Sequence, residues 1–115
     1  MREDLKKLDI KKTIPIPHLR ADVHLLDLSK VRGIDDNKGS AYTFIIGTDE
    51  KTLHLDLAIG IKDIENTLIP ENSFMLAHEF MHVIQILCQE RNMVIQEEKE
   101  HTAFLMSYLM EKSLI

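Results

Sequence analysis

A chain of 115 residues, 44% of them apolar, is sized for one small domain with a modest core and leaves no room for a second. Its net charge of −5 comes from 14 basic and 19 acidic residues scattered along the chain, and with no basic stripe and 5% aromatics it argues against a nucleic-acid partner. A lone cysteine, Cys88, rules out an internal disulfide, the charged start lacks the apolar heart of a signal segment, and no run is long enough to span a bilayer. These features predict a cytoplasmic protein without a membrane contact or a pro-segment.

Residues 1–12 are charged, with Leu5 and Leu8 at helical spacing, and read as a short or frayed helix. Ile14-Pro15-Ile16-Pro17 is extended, because each proline fixes its own backbone and biases the residue before it. Residues 21–28 read as a strand with Val23 and Leu25 on one face and Asp22, His24 and Leu26 on the other. Residues 33–40 are dense in turn formers and predict a surface loop. A hairpin follows: strands over 41–47 and 52–58 flank the polar turn 48–51. In its second strand Leu53, Leu55 and Leu57 share the core face, and Thr52, His54 and Asp56 share a face open to solvent or ligand. Residues 60–67 form a connector with one helical turn near 62–65. Pro70 or Ser73 then starts a long apolar helix that runs to about Arg91 and stops at Asn92. A last helix covers residues from about 96 or 97 to about 112.

The long helix carries His78-Glu79-Phe80-Met81-His82, a His-Glu-x-x-His pattern. Residues four apart stack on one helix face, so the two imidazoles are positioned to grip one divalent metal. Zn2+ suits this donor set, which leaves room for a third protein ligand and a water, with Glu79 beside the ion as general base. Two histidines and a glutamate on an apolar helix also need something to satisfy them, and a bound metal does so. The third ligand is expected in the acidic start of the last helix, at Glu97, Glu98, Glu100 or His101. Glu100 is preferred, because Ala103 and Ser107 give its face small side chains that let the two helices approach. His101 and Glu97 are alternatives, as ligands or as partners of ligands, and an acidic first turn favoured by the helix dipole accounts for the same carboxylates without a metal.

His78-Glu79-x-x-His82 followed by Glu100 resembles the gluzincin branch of the zincin metallopeptidases. It does not resemble the metzincin branch, whose glycine and third histidine correspond here to Gln85 and Cys88. The order of a Pro-containing extended segment, a hairpin, the motif helix and a terminal Glu-x-x-Ala-Phe-Leu helix is similar to that of small zincin-like proteins encoded by phages and prophages, over residues 14–110. This resemblance implies an α+β, minimal zincin-like domain in which a small antiparallel or mixed sheet of about three strands packs on the motif helix and a C-terminal helix. It also implies zinc held by His78, His82 and Glu100, an edge strand along the cleft that adds an extended peptide, and cleavage of a protein or peptide substrate with Glu79 as base. His24 or His54 is a candidate to face that cleft, although a strand histidine is more often an ordinary surface residue. The oxyanion-steadying residue usual in such enzymes has one downstream candidate, Tyr108, which also reads as core. Two rival readings are a catalytically silent metal-binding module that engages a phage or host partner, and a metal-free domain with coincidental histidines.

Overall fold

A computed structural model of the chain describes residues 9–28, 41–69, 73–93 and 99–114. The elements run in the order β1 (Ile10–Ile16), β2 (Ala21–Asp27), β3 (Ala41–Thr48), β4 (Leu55–Ile61), α1 (Ile64–Thr67), α2 (Ser73–Glu90) and α3 (Lys99–Ser113), with a 3-10 turn at Pro17–Leu19 between β1 and β2. The architecture is α+β. One mixed sheet has the order β1-β2-β4-β3, in which β1 pairs antiparallel with β2, β2 parallel with β4, and β4 antiparallel with β3.

The sheet has four strands where about three were expected. The segment Ile14-Pro15-Ile16 pairs with β2 in register with Val23, Asp22 and Ala21, and it buries Ile14 and Ile16 in the core. Proline is tolerated there because β1 lies at the end of the strand order, where a missing N–H need not break a ladder. Residues 10–12 therefore belong to a strand rather than to an N-terminal helix, and residues 1–8 of that expected helix lie outside the described residues. The expected loop at 33–40 and the start signals Pro70 to Asn72 lie outside them too.

Strand β4 starts at Leu55, three residues after the expected Thr52, and continues past the expected end at Ala58 to Ile61. Asp49 causes the delay. Its carboxylate accepts the N–H groups of Lys51 and Thr52 at 2.9 and 3.1 Å, its own N–H donates to the His54 carbonyl at 2.8 Å, and Leu53 takes a left-handed φ of 61°. The turn thus extends through His54. All seven residues of β4 are buried, so its second face is covered rather than open, as befits a central strand in a parallel pair.

On α2, Leu76, Phe80, Val83, Ile84, Leu87 and Cys88 recur at helical spacing and meet Val23, Leu25, Leu55, Leu57 and Ile59 from the sheet in one core. Each such fully buried aliphatic or aromatic side chain contributes roughly 1.5–3 kcal/mol. Cys88 is a core residue, as expected, and Met75, Met93, Met106 and Met110 pack on the core's margin. The helix ends as Asn92 predicts: Asn92 has φ 54°, its N–H donates to Gln89 O, and the Met93 N–H donates to Cys88 O, which together complete a Schellman motif.

Helix α3 packs through Leu105 and Leu109. Ala103 and Ser107 are exposed, so the small face expected between the helices turns to solvent instead. Lys12 of β1 ties down the far end of α3, its Nζ donating to the carbonyls of Ser113 at 2.8 Å and Lys112 at 3.4 Å. Among the described residues, no helix is long and apolar enough to cross a membrane.

Candidate functional site

The motif lies in the middle of α2, as its pattern predicts. The Nε2 atoms of His78 and His82 face each other at 3.2 Å, with ring centroids 4.8 Å apart and planes at 84°. Two zinc–imidazole bonds of about 2.0–2.1 Å at a tetrahedral angle place their nitrogens about 3.3 Å apart. The observed spacing matches two ligands to one ion and equally a hydrogen bond between the two imidazoles. His82 Nδ1 lies 3.2 Å from Gln85 Oε1, and a bond donated by Nδ1–H would leave Nε2 as the free lone pair.

Both histidines are exposed. The expectation that burial makes them costly without a metal is thus corrected: the helix is amphipathic, and its wet side carries His78, Met81, His82, Gln85 and Gln89. Glu79 is the buried member, 6% exposed. It points toward the outer strand β3, where the Thr43 hydroxyl donates to Glu79 Oε2 at 2.7 Å and lies 3.2 Å from its backbone carbonyl. Between α2 and β3 opens a cleft of about 500 Å³, lined by Thr43, Glu79, His82, Gln85 and Gln89 with Ala41 and Ile86, while His78, one turn earlier on α2, lies outside that lining. Further along β3 its register with β4 shifts between Ile45 and Gly47.

The other predicted residues do not converge on the pair. Glu100 is exposed in the first turn of α3, and among the described residues it does not form with His78 and His82 a set of three donors within 4.8 Å of one another. Glu97 and Glu98 lie outside the described residues. His101 sits against His18 of the 3-10 turn, with Nε2 atoms 3.0 Å apart and rings at 5.2 Å. Tyr108 stacks on Phe104, and its hydroxyl donates to Pro15 O at 2.6 Å, so it bonds to β1 rather than facing the cleft.

His24 and His54 do not line the cleft either. Val23 and Leu25 belong to the core with α2, so by strand alternation Asp22 and His24 lie on the other face of the sheet, together with Asp56 of β4. There the donor atoms of Asp22, His24 and Asp56 lie within 4.8 Å of one another, the group of this kind found among the described residues. The readable signal was a mirrored pair, Asp22-Val23-His24, which puts an aspartate and a histidine on one strand face, and His54-Leu55-Asp56, in which His54 is the last turn residue before β4. No family model, no curated protein and no solved structure matches the chain.

Proposed function

We propose that the cleft between α2 and β3 is the active site of a zinc-dependent hydrolase that cleaves peptide bonds, with His78 and His82 as metal ligands and Glu79 as general base. The observation that carries this reading is the 3.2 Å spacing of the two Nε2 atoms, beside a carboxylate held in place by Thr43. Bound zinc would supply Lewis-acid activation of water and of the scissile carbonyl. Glu79 takes the water's proton and later delivers it to the leaving amine, a role for which a buried, hydrogen-bonded carboxylate next to the ligands is suited. Thr43 orients Glu79. The outer strand β3 offers an extended peptide a backbone edge along the cleft.

Glu100 is the proposed third ligand, with Glu97 and His101 as alternatives. Ion binding then has to draw the first turn of α3 toward α2, because the donors are not assembled beforehand. Replacing Glu100 by alanine should weaken zinc by more than the roughly 10–100-fold typical of losing an outer-shell partner.

A second reading is a metal-binding module on a zincin scaffold that engages a phage or host protein without turnover. The Tyr108–Pro15 bond favours it, since it ties up the one tyrosine expected to steady an oxyanion. The test is zinc-dependent cleavage of a denatured protein mixture, with Glu79→Gln as control. Cleavage by wild type that the control lacks supports the enzyme. Zinc binding without cleavage in either protein leaves the module.

A further inference from the structure

The face of the sheet turned away from α2 carries a polar group that the cleft does not use. Asp22 and Asp56 stand directly opposite each other on the parallel pair β2–β4, on a face whose neighbouring positions include the buried Leu26 and Ala58. His24 Nε2 lies 3.0 Å from Asp56 Oδ1, and His54 Nε2 lies 3.0 Å from Asp22 Oδ2 and 3.8 Å from Asp56 Oδ1. We propose that Asp22, His24, His54 and Asp56 form a second metal site, for a zinc-type divalent cation, on the side of the sheet opposite the cleft.

Three observations lead there. The first is charge: two carboxylates directly across neighbouring strands repel, and the more so where they are taken out of water. One divalent cation balances both carboxylates. The second is distance. Four ligands placed tetrahedrally about 2.0–2.1 Å from zinc are about 3.3 Å from one another. Asp22, His24 and Asp56 offer donor atoms within 4.8 Å of one another, and His54 Nε2 stands beside them, 3.0 Å from Asp22 Oδ2 and 3.8 Å from Asp56 Oδ1, so an ion has to draw His54 inward to complete the four. The third is orientation. Thr13 Oγ1 lies 2.9 Å from His24 Nδ1, and as a hydroxyl it can accept from Nδ1–H, which turns the Nε2 lone pair toward Asp56.

The set also has a way in. Side-chain exposure falls from 36% at His54 and 28% at Asp22 to 11% at Asp56 and 4% at His24, so an ion meets the outer pair first and the inner pair last. Mixed imidazole and carboxylate donors suit zinc better than magnesium or calcium. Four protein ligands leave no position for a substrate, which makes this a closed, structural type of site. It would pin the turn before β4 to the central strands and act on stability rather than on turnover.

The experiment is a calorimetric titration of the His78→Ala/His82→Ala protein with zinc chloride, with folding checked by circular dichroism. Both replaced residues are exposed, so the fold should survive. The expected result is about one zinc per chain, and at zinc a hundredfold above Kd a melting temperature raised by roughly 10 °C. Adding Asp22→Asn/His54→Gln, two changes at the outer pair, should lower affinity at least a hundredfold and abolish the melting shift. If the combined variant does not fold, Asp22→Asn/His54→Gln in the otherwise unaltered chain should bind one zinc fewer than wild type. The proposal is overturned if the His78→Ala/His82→Ala protein binds no zinc, or if replacing Asp22 and His54 leaves its binding unchanged. Either result leaves the cleft reading untouched, because the motif histidines are absent from the primary test.

Discussion

Replacing Thr43 by valine keeps the shape of the side chain and removes the hydroxyl that holds Glu79. That hydroxyl donates to a carboxylate oxygen at 2.7 Å, and Glu79 is buried, so the change strips a partner from a charged group largely shielded from water. Hydrogen bonds to charged groups contribute about 1.5–3 kcal/mol. At an unfolding entropy of about 2.1 cal/mol/K per residue, a chain of this length loses roughly 6–12 °C of melting temperature for that cost. Glu79→Gln retains a carbonyl oxygen that Thr43 can still reach, and the neutral bond that remains is worth about 1 kcal/mol. Thermal unfolding of wild type, both single variants and the double variant, followed by circular dichroism, closes a double-mutant cycle. The expected coupling between positions 43 and 79 is about 1 kcal/mol or more, within the range for residues in direct contact. A Thr43→Val protein within about 0.5 kcal/mol of wild type, the range of ordinary surface changes, would refute the claim that β3 positions the base.

Two other side chains make separate predictions. Arg91, one residue past the end of α2, donates to the carbonyls of Leu19 at 2.8 Å, Arg20 at 3.1 Å and Leu53 at 2.8 Å, and so binds the helix to both turns at that end of the sheet. Arg91→Ala should cost about 1.5–3 kcal/mol, read as a lower urea midpoint at unchanged slope. Tyr108→Phe should cost about 1 kcal/mol through loss of the Pro15 bond. It should also leave any zinc-dependent cleavage rate unchanged, and a large loss of rate in a folded protein would mean that the hydroxyl reaches the cleft.

The motif helix, its Asn92 stop, the two faces of β2 and the pairing of β3 with β4 were legible, because each rests on a local period or a local cap. Strand β1 was legible only in its second half, where Ile14-Pro15-Ile16 read as extended; its first half was not, since the irregular register between Ile10 and Lys12 hides its alternation. The start of β4 was misread for a related reason. Leu53 continues the alternation of Leu55 and Leu57, yet its left-handed backbone keeps it in the Asp49 turn. Apolar content alone also failed to separate the buried stripe of α2 from its wet side, where Phe74 and Met81 are exposed beside the histidines.

The candidate sites divide in the same way. His78, Glu79 and His82 are neighbours on one helix, so their proximity follows from spacing. Thr43 is 36 residues from Glu79, and Asp56 is 32 residues from His24. Those meetings depend on strand order and register, which no local pattern encodes. The preference for Glu100 rested on a small-residue face that turns out to border solvent, while the packing of α3 is done by Leu105 and Leu109.

The most direct test of the central claim, that His78 and His82 hold one zinc ion, is the zinc stoichiometry of wild type measured beside that of the His78→Ala/His82→Ala protein. Both should be dialysed against the same buffered free zinc and confirmed folded. The account predicts that the variant carries one zinc per chain fewer than wild type. Equal zinc in the two proteins, or none in either, would contradict it.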